Sequence, residues 1–515
     1  MSTYTFGQFA QSDPTSIAVI DQIGREWSRG ELFSEINRLS RALRATGISP
    51  GDCLAIFAPN CAEYLQTYLA ATQVGLYVVS INPQLARSET AYILGDSHAK
   101  ILVAHQAVSA LARATVDSLE SPPAVLLAIG NIPGFTALRE FCEAHSLEPL
   151  QDPIPGRPLT YTSATTGRPK GVELPLNDSE SALQRIIQAH ARNGILPGRD
   201  HVHLCASMLY HAAPLEWSAI ALHMGHRVIL VDRWHAELLL QLIETHRVTT
   251  TFMVPAMFVR ILKLPEDVRR RYSTSSLRFV AHGAAPCPLE VKQSMIDWWG
   301  PVIWESYGSS EGSGTIVSST DWLQHPGTVG RPFAGCELKV LDDEGEEVPP
   351  GVTGIIYMTR YTGDTFRYRG DPEKTRAAHR GRFFTVGDIG YLDAEGYLFL
   401  CDRKIDMIIS GGMNIYPAEI ERVLIQHPQI ADCAVIGIPD ELMGEAVKAI
   451  IELQAGTQPT SVLKADILRF LATRLSPAKL PRRLEFTAAL PRDPNGKIYK
   501  RHLREVHWSA QGRRL

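Results

Sequence analysis

Apolar and polar positions follow a repeating rhythm through most of this chain. Over 32–43 apolar residues recur at helical spacing, and Gly51-Asp-Cys-Leu-Ala-Ile-Phe-Ala58 then reads as a turn entering a buried strand. Residues 63–74 are again helical in pattern and lead into the apolar run 76–81, ended by Asn82-Pro83. The unit recurs further on. A helix-like 217–224 precedes Val228-Ile-Leu-Val231, and a helix-like 236–246 precedes Thr249-Thr-Thr-Phe-Met-Val254. Strands alternating with helices predict an α/β fold whose parallel-type sheets are covered by helices.

After Gly330 the texture changes to short strands and turns, over 336–341, 342–345 and 354–358, which predicts a β-rich subdomain at about 331–401. Beyond Cys401-Asp402-Arg403 two helix-like segments (418–427 and 462–475) alternate with strand-like 431–438 and 446–453. The expected division is a large N-terminal domain, 1–401, and a small α+β C-terminal domain, 402–515. No fixed-period repeat and no Gly/Ser linker interrupts this plan.

Composition narrows the class. The chain has 515 residues, 45% hydrophobic and 21% charged, and a net charge of −4 from 51 basic against 55 acidic side chains. That balance offers no global attraction to nucleic acid or to an anionic membrane. Eight scattered cysteines without a C-x-x-C pair fit a reducing cytoplasm and argue against a zinc site or a disulfide framework. His201-Val-His203 lacks a further ligand cluster. The start lacks the pattern of a signal peptide, the Arg-Arg-Leu515 ending is not a peroxisomal address, and no apolar run is long enough to span a bilayer. A soluble cytoplasmic enzyme is expected.

Candidate chemistry lies in six stretches. Tyr161-Thr-Ser-Ala-Thr-Thr-Gly-Arg-Pro-Lys-Gly-Val172 can gather backbone N–H groups, hydroxyls and the Lys170 charge around a polyphosphate. It is not a Walker A loop, since Pro169 precedes the lysine and Gly-Val follows it. His282-Gly-Ala-Ala-Pro286 is small enough for a flat ring to approach its backbone. Ser306-Tyr-Gly-Ser-Ser-Glu-Gly312 offers an aromatic to stack on a base and a carboxylate suited to Mg²⁺. Thr385-Val-Gly-Asp388 with Asp402-Arg403 supplies a carboxylate for ribose hydroxyls and a guanidinium for ribose or phosphate oxygens. Gly411-Gly-Met-Asn is a turn before a helix, and Pro494-Asn-Gly-Lys497 presents a lysine at a loop tip. Each taken alone is also readable as an ordinary turn or ion pair.

Taken together and in this order, the six stretches resemble those of the adenylate-forming superfamily, which includes acyl-CoA synthetases, firefly luciferase and peptide-synthetase adenylation domains. The resemblance runs over residues 161–498. It implies that Thr162, Ser163, Thr165, Thr166, Gly167 and Lys170 hold the phosphates of ATP, with Thr165 also among the catalytic groups. Gly283, Ala284 and Ala285 would form the adenine and acyl wall. Ser306, Tyr307, Gly308 and Ser310 would line the nucleotide site, with Tyr307 on adenine and Glu311 on Mg²⁺. Asp388 and Arg403 would meet the ribose, Gly411 and Gly412 the pantetheine of CoA, and Lys497 the reacting carboxylate. Asp402 would be the hinge of a mobile C-terminal domain.

The acyl pocket implied in the same way comprises His211, Ala212, Trp217, Val254, Gly283 and Ile405. His211 reads equally as a gate or as a core histidine. Ala164, Val386 and Ile405 depart from the family pattern, and no acidic residue stands where an α-amino group would need one. The expected activity is AMP-forming ligation of a hydrophobic carboxylic acid (fatty, aromatic or steroid side-chain) to CoA, with ATP and Mg²⁺. Loading of a separate carrier protein and a non-catalytic acyl- or nucleotide-binding role stay open, as does a homodimer.

Overall fold

The computed structural model describes residues 5–162, 169–176, 179–198, 200–360, 365–403, 406–411, 413–492 and 498–508, with the backbone alone at 179–182, 313 and 403. Two large sheets carry the N-terminal part. The first is all parallel, in the order Thr136–Ala137, Val125–Ile129, Ala99–His105, Cys53–Phe57, Tyr77–Ile81 and Arg157–Pro158. Its Cys53–Phe57 strand is buried at every position, which is why it reads as a continuous apolar run.

The second sheet has nine strands. Ile303–Ser309, Phe279–His282, Thr250–Met253, Val202–Cys205, Arg227–Leu230 and Ile17–Ile20 run parallel through its middle. Glu26–Ser28 closes one edge, and Gly312–Ser318 with Arg331–Pro332 closes the other, all antiparallel. Helices Arg29–Ala45, Ala62–Thr72 and Ala212–His223 lie between the two sheets. Leu32, Leu39, Leu65, Leu215 and Leu222 share one core with Leu54 and Ile101 of one sheet and Val19 and Val228 of the other. Helices Pro255–Leu262 and Leu289–Trp299 help to cover the second sheet, with Phe258 and Met295 fully buried.

Two differences from the sequence reading matter for the site. The helix expected at 217–224 begins at Ala212, with His211 at its N-cap position. The Ser306–Gly312 stretch is not a free loop either. The strand runs on to Ser309, the next starts at Gly312, and a bulge falls between Tyr307 and Gly308. The bulge re-aims the side chains beside it.

The β-rich region at 338–403 forms a six-stranded antiparallel sheet. A small three-stranded sheet joins Thr160–Thr162, Lys170–Glu173 and Arg367–Tyr368. The smaller C-terminal domain pairs Ile430–Asp440 with Gly444–Leu453 and adds Ile408–Ser410, Met413–Ile415 and Arg483–Thr487. Helices Pro417–Leu424 and Ser461–Ala472 pack on it through Ile420, Leu424, Ile467 and Leu471.

Candidate active site

Strands in the parallel part of the second sheet end on one edge, where open α/β sheets gather ligands. The His282-Gly-Ala-Ala-Pro286 and Ser306–Glu311 stretches meet there. A Cβ on Gly283 would lie 2.5 Å from the backbone oxygen of Ser306, so the two segments approach as closely as glycine permits. Next to it Ala284 holds a left-handed φ of 66°, a conformation that costs a non-glycine residue free energy and fixes the turn.

Tyr307 donates a 2.7 Å hydrogen bond to Oδ2 of Asp388. One side of its ring packs against Gly314, where a Cβ would come within 3.2 Å of the ring. Asp388 is buried and lies across the strand pair from Arg403, with Ile389 opposite Asp402. The base-stacking and ribose-binding candidates are thus brought together from positions far apart in the chain. Asp402 accepts a 2.8 Å bond from the backbone N–H of Ala418, at the start of the Pro417–Leu424 helix. Gly411 has φ +57° and donates its N–H to the Met443 carbonyl at 2.8 Å.

On either side of the phosphate-loop candidates, Thr160–Thr162 and Lys170–Glu173 pair antiparallel. Thr162 and Lys170 are opposite one another across these two strands. Ser163, Thr165, Thr166 and Gly167 lie outside the described residues, as do Lys404, Ile405, Gly412 and Lys497. Val172 pairs with Tyr368, which delivers a set of groups that the sequence reading missed. Tyr368 donates a 2.8 Å hydrogen bond to Oε1 of Glu311, and Arg360 bonds the Glu311 carbonyl. Lys170 contacts Asp371 at 3.1 Å, and Asp371 caps the helix Pro372–Ala378 by accepting from the Lys374 N–H at 2.9 Å. The ammonium groups of Lys374 and Lys170 stand 4.9 Å and 5.9 Å from the centre of the Tyr368 ring.

Two lysines around one aspartate make a locally cationic patch beside a buried carboxylate. Burial, and after it the neighbouring Lys170 ammonium, pull the Lys374 pKa down to about 8, against the attraction of Asp371. Burial, reinforced by Glu311, pushes the Tyr368 phenol up. Such a patch is suited to a polyanion. Glu311 is 6% exposed and offers hard oxygen ligands next to that patch. Among the described residues no three His, Cys, Asp or Glu side chains cluster as a metal cage. Mg²⁺ fits this arrangement, since it keeps waters and is held by one or two carboxylates plus phosphate oxygens.

Beneath this sheet edge, Lys292 of the Leu289–Trp299 helix makes a buried 2.6 Å ion pair with Glu305 and lies 4.8 Å from the centre of the Trp322 ring. Burial raises the Glu305 pKa and lowers that of Lys292, each opposed by the partner's charge. His282 is fully buried 3.8 Å from Glu305. No local motif marks Lys292, because its partner arrives from a neighbouring strand.

Among the acyl-pocket candidates, His211 stands at the N-cap position without capping the helix through its side chain, and burial lowers its pKa to about 4. Its Nε2 has no hydrogen-bond partner among the described residues. Trp217, one and a half turns along the helix, lies on the sheet against Phe252 and Phe279, with centroids 6.2 Å and 5.6 Å away. Val254 is buried just past the Thr250–Met253 strand, at the N-cap position of the Pro255–Leu262 helix.

Comparison with known proteins agrees with this layout. The profile of the AMP-binding enzyme family matches residues 6–363, and that of the AMP-binding enzyme C-terminal domain matches 419–497. The chain is 34% identical over 495 residues to a feruloyl-CoA synthase of an Amycolatopsis species, covering 93% of this chain and 94% of the relative. It is 31% identical over 514 residues to the fatty acid–[acyl-carrier-protein] ligase ScoC of Streptomyces coeruleorubidus, covering 98% and 96%. Among solved structures it superimposes on the o-succinylbenzoate CoA synthetase MenE of Bacillus subtilis, in complex with its acyl-adenylate intermediate, with a TM-score of 0.82 and 26% identity over 98% of each chain.

Proposed function

The chain belongs to the AMP-binding enzyme family, and we propose that it works as an AMP-forming acyl-CoA synthetase acting on a hydrophobic carboxylic acid. The observation that carries this reading is the joining of Tyr307 to Asp388 and of Tyr368 to Glu311 on one sheet edge, beside the Lys170 hairpin. Adenine stacks on Tyr307, and the ribose hydroxyls bond Asp388 and Arg403. Lys170, Thr165 and Lys374 surround the phosphates. Glu311 would hold Mg²⁺, which when bound neutralises phosphate charge.

The reaction is driven by positioning and charge. A carboxylate oxygen of the acid attacks the α-phosphorus in line, the bond to the bridging oxygen breaks, and pyrophosphate leaves. Lys497 draws the carboxylate and the α-phosphate together and offsets the charge that builds up between them. The C-terminal domain, 402–515, then turns about Asp402, withdrawing Lys497 and bringing Gly411 and Gly412 to the pantetheine path. The CoA sulfur attacks the acyl carbonyl, the mixed-anhydride bond from the carbonyl carbon to the phosphate oxygen breaks, AMP departs, and the thiol proton passes to solvent. No protein nucleophile is needed. No disulfide joins the cysteines among the described residues, which supports a reducing cytoplasmic setting, and no described helix is long and apolar enough to cross a membrane.

Pyrophosphate release with Mg-ATP and a panel of fatty, aromatic, steroid and amino acids, with and without CoA, tests this reading, with Lys497→Ala as control. Acid-dependent release that becomes sustained turnover only with CoA, and that collapses in the variant, is expected. A panel led by an amino acid, or ATP binding without release for any acid, would overturn it. The carrier-protein ligase among the relatives supports a second reading, in which the acceptor is the thiol of a separate carrier. Turnover indifferent to CoA but sustained by a pantetheinylated carrier would establish that alternative.

A further inference from the structure

In the proposed scheme Lys497 has to arrive at the reacting carboxylate and then leave, and the chain around it is held at several points. On either side of 493–497, Arg492 and Ile498 pair antiparallel, and the Tyr499 N–H donates to the Pro491 carbonyl at 2.9 Å. The helix Lys500–Trp508 begins directly afterwards. Ile498 and Leu503 pack against Ile436, Ile450 and Leu490, and the Trp508 indole donates to the Gly437 carbonyl at 3.1 Å. These contacts dock the helix on the C-terminal sheet without help from its first residue.

That first residue is Lys500, three positions beyond Lys497. A cation at a helix N-terminus meets the positive end of the helix dipole, so a general helix-stabilising role does not account for it. Acidic neighbours do. Its ammonium makes a 2.8 Å ion pair with Glu421, the two side chains being 18% and 20% exposed. Burial works against the charge, but Glu421, and after it Asp402 and Asp406, outweigh burial and raise the Lys500 pKa. Glu421 also accepts a 2.6 Å bond from the Val435 N–H, which ties it to the strand Ile430–Asp440.

The same helical turn meets the hinge candidate. Ala418, whose N–H donates to Asp402, precedes Glu421 by three residues on Pro417–Leu424. One turn of helix therefore receives Asp402 through its backbone and the chain just beyond Lys497 through Glu421. The domain core of Ile420, Leu424, Ile467 and Leu471 is a separate set of contacts. A buried ion pair adds little stability over a well-packed apolar pair, so what this one supplies is a fixed geometry.

We propose that Lys500 is a positioning residue for adenylate formation: through Glu421 it fixes the segment that carries Lys497 relative to the hinge at Asp402. This inference rests on the acid-activating reading above and on the role of Lys497 within it. Lys500 touches no reactant. Thioester formation, which follows the withdrawal of Lys497, does not need it.

The two half-reactions separate positioning from a merely structural role. The probes are the panel acid with the fastest pyrophosphate release and the acyl-adenylate synthesised from it. In Lys500→Met, single-turnover release without a thiol falls about tenfold or more, while the ATP concentration for half-maximal release and the rate of transfer from the adenylate to CoA stay within about twofold. Lys500→Arg, which keeps the cation, retains most of the release rate. Lys500→Met alone leaves Glu421 buried without a counter-charge, so Lys500→Met with Glu421→Met is measured beside it. That double variant recovers stability in thermal melts but not release. Unchanged release in Lys500→Met, release restored together with stability in the double variant, or release and transfer falling together in the double variant overturns the inference. No release by the wild-type protein with any acid overturns the acid-activating reading and the inference together. Wild-type release without transfer to CoA overturns the CoA reading alone, and the release rates of the two methionine variants still decide the inference.

Discussion

The phenol of Tyr307 donates to Asp388 at 2.7 Å, so one residue's orientation sets the other's. The carboxylate that would meet the ribose keeps the aromatic plane fixed before any nucleotide arrives, and Gly314 leaves room for the ring on one side.

Tyr307→Phe retains the ring and removes that restraint. Losing ~1 kcal/mol of positioning raises the KM for ATP about three- to tenfold, with a smaller effect on kcat. Initial rates of pyrophosphate release against ATP concentration check this.

Glu311→Gln keeps the shape of the side chain and its contact with Tyr368 but removes the anionic ligand. A fall in kcat of about 100-fold or more is expected, equivalent to ~3 kcal/mol of transition-state stabilisation. The same assay across a Mg²⁺ titration reads it, and an unchanged metal dependence would contradict the assignment.

Lys374 has a pKa depressed to about 8. Its ammonium is present below that value and is lost as the pH rises through it. In the free enzyme, the KM for ATP therefore climbs above pH 8, and Lys374→Met removes this inflection. Stability moves the other way. Between about pH 8 and the ordinary lysine range the unfolded chain binds the extra proton, so wild-type stability rises with pH there. Lys374→Met loses that rise, which thermal melts across the interval would detect.

Lys292→Ala leaves Glu305 buried without its counter-charge and is expected to cost ~3 kcal/mol or more. Replacing both, as Lys292→Met with Glu305→Met, should recover most of that loss. Urea midpoints of the two variants distinguish a buried pair from a dispensable one.

Gly283→Ala places a methyl group 2.5 Å from the Ser306 backbone oxygen. The two segments must part, and loss of nucleotide affinity should exceed loss of stability. Calorimetric titration with AMP beside a thermal melt separates the two.

Much of this architecture was legible because buried parallel strands leave continuous apolar runs, as at Cys53–Phe57, and because glycine-bounded chemistry falls in short local stretches. The residues that escaped notice reach the site through pairing across sequence distance. Tyr368 arrives opposite Val172, and Lys374 follows it on a helix capped by Asp371. Nothing near residue 368 signals an active site. In the sequence, His201-Val-His203 shows only a pair without a further ligand cluster. What distinguishes His203 is its alignment with Thr250 on the next strand, with His190 approaching from a helix, and neither relationship leaves a local pattern.

The three-stranded sheet that binds the Lys170 strand to Arg367–Tyr368 also bears on protein engineering. A phosphate loop copied from a relative as residues 161–172 alone would be seated on a foreign neighbour. The transplantable unit is discontinuous: the hairpin together with 367–374, which carries Tyr368, Asp371 and Lys374. Libraries that vary the hairpin while holding the distant strand fixed would sample mostly mismatched halves of one part.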